Sequence, residues 1–171
     1  MRALQAILFL WTLSSDATTA VIHDIRTMTQ NSGVVVQAKI VSQKVTEDAR
    51  GRIITLSTLR VEDGMKGART GQELTLYQVG GELNGRVMRL QGASVYRPGE
   101  EIMLFAVPHR DQVVSYGLGL GKFNIIQDKV VEDIHDLEVV DRKDGRQFYR
   151  APTPRRYNSL KAFKDEIRKA L

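Results

Sequence analysis

Between residues 80 and 126 apolar and polar side chains alternate in short runs broken by glycine-bearing turns, and no stretch there has helical spacing. A two-residue period puts alternate side chains on opposite faces of an extended chain, so the pattern predicts antiparallel strands in a small barrel or sandwich. The same period begins earlier. Val34 to Gln43 (VVVQAKIVSQ) carries Val34, Val36, Ala38 and Ile40 on one face, Arg52 to Glu62 is a second strand of mixed polarity, and Glu73 to Val79 is a third. Polar turns separate them at 46–51 and at Asp63 to Gly67 with Thr70-Gly71. Gly80 to Gly85 ends in Asn-Gly and predicts a hairpin, because both residues tolerate positive φ; Arg86 to Leu90 is its return strand. Pro98-Gly99 forms the centre of a predicted type II turn. Glu101 to Val107 (EIMLFAV) is nearly all apolar and is expected to be the most buried strand, with Val113 to Leu120 and Lys122 to Ile126 completing the barrel. Gly117, Gly119 and Gly121, at alternate positions, would leave one face of that strand bare and admit another backbone closely.

Both flanks read differently. Val21 to Asn31 has Ile22, Ile25 and Met28 three apart, which predicts a short amphipathic helix ended by Ser32-Gly33. Leu160 to Leu171 shows Leu160, Phe163, Ile167 and Leu171 on one face behind a Ser159 cap, a helix expected to pack on the barrel. Before it, Asp128, Glu132, Asp133, Asp136, Glu138 and Asp141 form an acidic arm, and Arg142, Lys143, Arg146, Arg150, Arg155 and Arg156 a basic one. Asp144-Gly145 would turn a hairpin there, and Pro152 and Pro154 mark a linker. The two arms either pair with each other or face a partner. At the amino end, Met1-Arg2 precedes the apolar run Ala3 to Leu13 and the small polar stretch Ser14 to Ala20. These are the three regions of a secretory signal peptide, with cleavage expected between Ala20 and Val21, or else after Ala17. The apolar run is too short to span a bilayer, which takes about 20 residues. The expected organisation is therefore a leader over 1–20, a barrel with its short helix over 21–126, and a charged hairpin with the closing helix over 127–171.

Composition narrows the chemistry. A chain of 171 residues that is 42% hydrophobic and 26% charged matches ordinary globular domains, which excludes wholesale disorder. The absence of cysteine excludes disulfides, thiolate zinc sites, Fe–S clusters and a cysteine nucleophile, and suits a bacterial envelope better than an animal extracellular space. Residues 141–171 hold ten Lys or Arg against four Asp or Glu, an excess larger than the +5 of the whole chain, so the basic character belongs to the tail. Such a tail is either a solvated face or a surface for an anionic polymer. Gly117 to Lys122 (GLGLGK) resembles a phosphate cradle until its flanks are read: Tyr116 stands where the first glycine belongs and Phe123 where the metal-binding hydroxyl belongs. His23, His109 and His135 each have an acid nearby but no ligand spacing, so no metal or cofactor is expected. No G-x-S-x-G surrounds a serine, Ser94 included, and Glu100-Glu101 and Glu132-Asp133 point to opposite faces if extended; no enzyme is expected. Tyr77, Tyr96, Phe105, Tyr116 and Phe123 beside Arg86, Arg89, Arg97 and Lys122 are the parts of a single-strand nucleic-acid surface. Most of those rings are expected in the core, and an exported protein meets little nucleic acid.

The succession VEDGMKG (61–67), GGELNG (80–85), YRPGEEIMLFAV (96–107) and GLGLGKFNI (117–125) resembles a family of exported, mostly uncharacterised bacterial proteins, over residues 24–126 and the closing helix. The resemblance implies an OB-like barrel similar to that of tissue metalloprotease inhibitors and netrin-type domains. Its motifs describe turns and strands and imply no catalytic residue. In the inhibitors the amino terminus of a cysteine chelates the protease zinc; this chain has no cysteine and its expected mature start is Val21, so that function is not carried over. The resulting expectation is an all-β domain with flanking helices, exported to the periplasm or beyond. It would bind an envelope or extracellular protein, or an anionic polymer, through Tyr116, Lys122, Arg142, Lys143, Arg146 and Arg150. An inhibitor-like regulator of a secreted metalloprotease is the second expectation.

Overall fold

The computed structural model describes residues 19–134, 138–143, 146–150 and 152–171, giving the backbone alone for 19, 20, 138–143 and 146–150. In chain order the elements are β1 (Thr19–Ala20), α1 (Ile25–Asn31), β2 (Val34–Glu47), β3 (Ile53–Lys66), β4 (Glu73–Val79), β5 (Gly81–Leu83), β6 (Arg86–Met88), β7 (Glu101–His109), β8 (Gln112–Ser115), β9 (Lys122–Ile126), β10 (Lys129–Glu132), β11 (Glu138–Lys143), β12 (Arg146–Arg150), β13 (Arg156–Tyr157) and α2 (Leu160–Arg168). The described residues are thus mostly β with two helices. Among the described residues no helix is long and apolar enough to cross a membrane.

Eight strands form one sheet in the order β13-β10-β9-β7-β2-β3-β4-β8, and β7 pairs with β8 as well. All neighbours are antiparallel except β4 and β8, which meet in parallel at Leu76 and Val113. β5 and β6 form a separate hairpin, while β1, β11 and β12 form a third sheet. The period-two pattern sorts the apolar side chains into two layers. Val34, Val36, Ala38 and Ile40 of β2 join Ile102, Leu104 and Ala106 of β7 in the first layer. Val35, Met103 and Phe105, one residue out of phase, join Phe123 of β9 and Val130 of β10 in the second. β7 is buried on both faces from Ile102 to Ala106, which is why its sequence is a continuous apolar run.

The helices cover the second layer. Asp24 caps α1, its carboxylate accepting from Thr27 N at 2.7 Å; the Thr27 side chain first, and this backbone hydrogen bond second, hold the Asp24 pKa below its usual value. Met28 of α1 and Phe163 and Ile167 of α2 are fully buried against the sheet. Ser159 caps α2, but Leu171 lies beyond the helix and is exposed. The β2–β3 hairpin closes on Asp48, whose carboxylate accepts from the backbone of Arg52 and Arg50 and pairs with the Arg52 guanidinium at 2.7 Å. Those hydrogen bonds, the Arg52 backbone first, hold the Asp48 carboxyl at about 2.

Several expected bounds differ: α1 begins at Ile25 and not at Val21, with Asp24 as its cap, and two differences bear on the sheet. The expected loop beginning at Asp63 is strand as far as Lys66: β3 continues to pair with β2 through Gly64 opposite Val36, across register shifts. The glycine-rich stretch 116–121 is turn and not strand; β8 ends at Ser115 and β9 starts at Lys122. The closeness anticipated for it is present all the same. A Cβ on Gly121 would lie 2.4 Å from the Phe105 carbonyl oxygen, so only glycine fits beneath β7 there.

Candidate functional site

From Arg89 to Arg97 the chain has no regular strand or helix, and this strap crosses the open side of the first layer with Tyr96 buried in it. A strap without a ladder still has carbonyls to satisfy. Three consecutive ones are met by long side chains from three different strands. Gln78 Nε2 of β4 donates to Ser94 O, Lys122 Nζ of β9 to Val95 O at 2.5 Å, and Gln43 Nε2 of β2 to Tyr96 O at 2.9 Å. The Ser94 hydroxyl reaches the Gly119 and Asp133 carbonyls at 3.3 and 3.2 Å. The turn after the strap is the expected type II: Gly99 has φ +92 and Glu100 N donates to Arg97 O at 3.1 Å.

Lys122 is the electrostatic centre of this region. It follows from strand alternation that Lys122 faces opposite to Phe123, into the first layer. The residue is 1% exposed. Its Nζ lies 3.0 Å from Glu100 Oε2 and 2.9 Å from Asp133 Oδ2, and sits 4.9 Å from the centroid of the Tyr96 ring. Three ammonium protons therefore meet three oxygens, the condition under which a buried charge is tolerated. Arg97 adds a second cation at Glu100, 3.3 Å from Oε1. Burial pushes the Tyr96 phenol well above its ordinary range, an effect the neighbouring Ser115 and Ser94 hydroxyls only partly offset.

The strap and the β5–β6 hairpin border a groove of about 1140 Å³, with Gln43, Thr55 and Lys122 among its inner residues. Among the exposed residues that line it, beside Glu82, Arg89, Gln91 and Arg97, three are apolar. Val87, Leu90 and Val95 are 58%, 41% and 51% exposed and fall within nine consecutive residues. Clustered exposure of this kind marks interaction surfaces, whereas single exposed apolar residues carry no message.

Two of the expected binding residues, Tyr116 and Lys122, lie on opposite faces of the sheet. Lys122 is at the groove floor. Tyr116 packs against the second layer on the other side of the sheet, its hydroxyl 2.5 Å from His23 Nδ1 and 3.5 Å from Asn31 Nδ2. The backbones of Arg142, Lys143, Arg146 and Arg150 lie in the β11–β12 pair, with Lys143 opposite Arg146; their side chains, residues 135–137 and 144–145, and residues 1–18 of the expected leader lie outside what is described. Ala20 ends β1, which pairs with Glu138 and Val139, and Val21 after it is 62% exposed. The acidic and basic arms do meet at one point. Arg155 Nε donates to Glu132 Oε2 at 2.9 Å, Nη2 pairs with Glu132 Oε1, and Nη1 donates to the His23 carbonyl at 2.9 Å. No sequence spacing links Gln43, Gln78 and Glu100, so nothing local announces them as a constellation. The apolar Val87, Leu90 and Val95 inside a polar, glycine-bearing loop were the one available signal. Among the described residues no three His, Asp or Glu gather as metal ligands.

Comparison of the chain with protein-family models, with curated proteins and with solved structures returned no match.

Proposed function

We propose that this chain is an exported, non-enzymatic binding domain of the bacterial envelope, built on an OB-like barrel, with the groove beside the strap as its recognition face. The strand pairings support the barrel: β2, β3, β4, β8 and β7 pair in turn, β7 pairs back to β2, and the β4–β8 contact is parallel. In this reading the strap and Tyr96 plug the barrel between its third and fourth strands. The observation that carries the binding role is the cluster of exposed Val87, Leu90 and Val95 on the groove. The Lys122 ion cluster then serves to hold the strap at a fixed position, and not to touch the partner.

Two experiments test this. An envelope extract is passed over the purified protein and over its Leu90→Asp/Val95→Asp variant. A species retained by the first and lost from the second is the expected result, and equal retention by both removes the groove from consideration. Cell fractionation with sequencing of the mature amino terminus should give an envelope protein starting at Val21; a cytoplasmic protein starting at Met1 rejects export.

One observation favours the second reading, a regulator of a secreted metalloprotease. Arg155 holds the His23 carbonyl and Tyr116 its ring, so a chain cleaved after Ala20 would present Val21 and Ile22 from an anchored base. Inhibition of a secreted metalloprotease at micromolar concentration, lost on Arg155→Ala, is the result this reading requires.

A further inference from the structure

We infer that the groove receives an extended peptide segment of a partner protein, added as a strand along the open edge of β6; the inference rests on the groove being the recognition face. The β5–β6 hairpin turns at Asn84-Gly85, both with positive φ, and pairs Leu83 with Arg86, Glu82 with Val87 and Gly81 with Met88. In a two-residue hairpin the pair flanking the turn exchanges both ladder hydrogen bonds, and bonded pairs then alternate with unbonded ones. Leu83 with Arg86 and Gly81 with Met88 are therefore the bonded pairs. The N–H and C=O of Val87 point away from β5. Among the described residues β6 has no second strand neighbour, so these groups form an open edge at the groove. An edge with unspent backbone groups is a template for an added strand.

Side chains specify what kind of strand fits. Val87, Leu90 and Val95 offer apolar contact along the groove, which suits a segment with apolar residues at alternate positions. Charge on the edge side favours an acidic one. The Glu100 carboxylate is taken by Lys122 and Arg97, and the Asp133 carboxylate meets Lys122. Arg89 lines the groove just beyond β6 and has no ion-pair partner among the described residues, while the groove's remaining carboxylate, Glu82, belongs to β5 on the inner side of the hairpin. A carboxylate on the incoming segment answers Arg89.

The test pans a displayed library of random dodecapeptides on the intact protein and titrates the leading peptide in synthetic form. Enriched sequences should alternate apolar residues and carry Asp or Glu. Val87→Pro, which removes the edge N–H, should weaken binding by about tenfold or more, and Arg89→Glu by a similar factor, as expected for one hydrogen bond or one charge contact. Lys129→Glu, at the distant β9–β10 turn, should leave it unchanged. Because Val87→Pro also perturbs the hairpin, hydrogen exchange of the unsubstituted protein supplies a second readout: bound peptide should protect the Val87 amide. No enrichment, or binding peptides that leave that amide unprotected, overturns strand addition. A dimer in sedimentation that Val87→Pro dissolves overturns the peptide in favour of a second copy. If Leu90→Asp/Val95→Asp abolishes capture of the envelope partner while the Val87 amide stays unprotected, the groove reading survives and only strand addition falls.

Discussion

On the helical side of the large sheet, Met28, Phe163 and Ile167 press onto Val35, Met103, Phe105 and Phe123, with Phe123 and Phe163 ring centroids 4.9 Å apart and Tyr157 and Phe163 at 4.5 Å. On the opposite side an irregular strap lays Tyr96 on an apolar layer of similar size and is fastened by Gln43, Gln78 and Lys122. The first closure depends on area, and any ring of suitable volume contributes to it. The second depends on three donors each arriving at one carbonyl, and a missing donor leaves a buried acceptor unmet. The difference teaches where this molecule is specified and where it is merely packed. It also places the groove next to the more directional and more easily loosened closure.

Substitutions can break this contrast at known points. Phe163→Ala should be the largest single loss, about 4 kcal/mol, typical of a buried ring truncated without collapse. Urea denaturation should register it as global destabilisation. Lys122→Met should cost about 3 kcal/mol, because it removes the buried cation that Glu100 and Asp133 share and orphans the Val95 carbonyl. Adding Glu100→Gln and Asp133→Asn to it should restore most of that loss. If the triple variant is no better than the single one, the ion cluster is not the reason Lys122 matters. Gln78→Leu should cost about 1–2 kcal/mol by orphaning the Ser94 carbonyl. Its hydrogen-exchange signature should be confined to residues 90–99, whereas Phe163→Ala should loosen the whole chain. Ser159→Ala, on the helical side, should cost about 1 kcal/mol through the lost cap. The smallest effect is on pH. Asp48 titrates at about 2 when folded against 3.8 ordinarily. A depressed carboxyl contributes stability above its unfolded value and loses it as pH falls toward the folded one, so the decline belongs between about pH 4 and pH 2. Asp48→Asn should flatten that decline in an acid titration monitored by circular dichroism. Exposure of the turn makes the effect small and salt-sensitive.

Legibility followed the range of the interactions. β4 and β9 have their expected bounds, β7 is the most buried strand, and the Asn84-Gly85 and Pro98-Gly99 turns stand where their backbone preferences put them. β10 was not foreseen because its turn is Gln127-Asp128, both at positive φ, with no glycine or asparagine to announce it. The glycine-rich stretch was expected as strand because alternation at 117, 119 and 121 imitates one; the close contact of Gly121 with Phe105 O is what those glycines serve. The sequence reading puts Lys122 on a binding face, and the fold buries it. Nothing local distinguishes a lysine destined for solvent from one that will meet two carboxylates from 22 residues before it and 11 after.

By itself, then, the sequence determined most of the strands, the Asn84-Gly85 and Pro98-Gly99 turns and the Ser159 cap, since these follow from side-chain period and from φ preferences within a few residues. Tertiary structure alone decided that Lys122 lies under the strap, that Tyr116 and Lys122 fall on opposite faces, and that Val87, Leu90 and Val95 gather at one groove. Each of these depends on which distant segments become neighbours, and burial changes what a lysine or a valine is for only once those neighbours are in place.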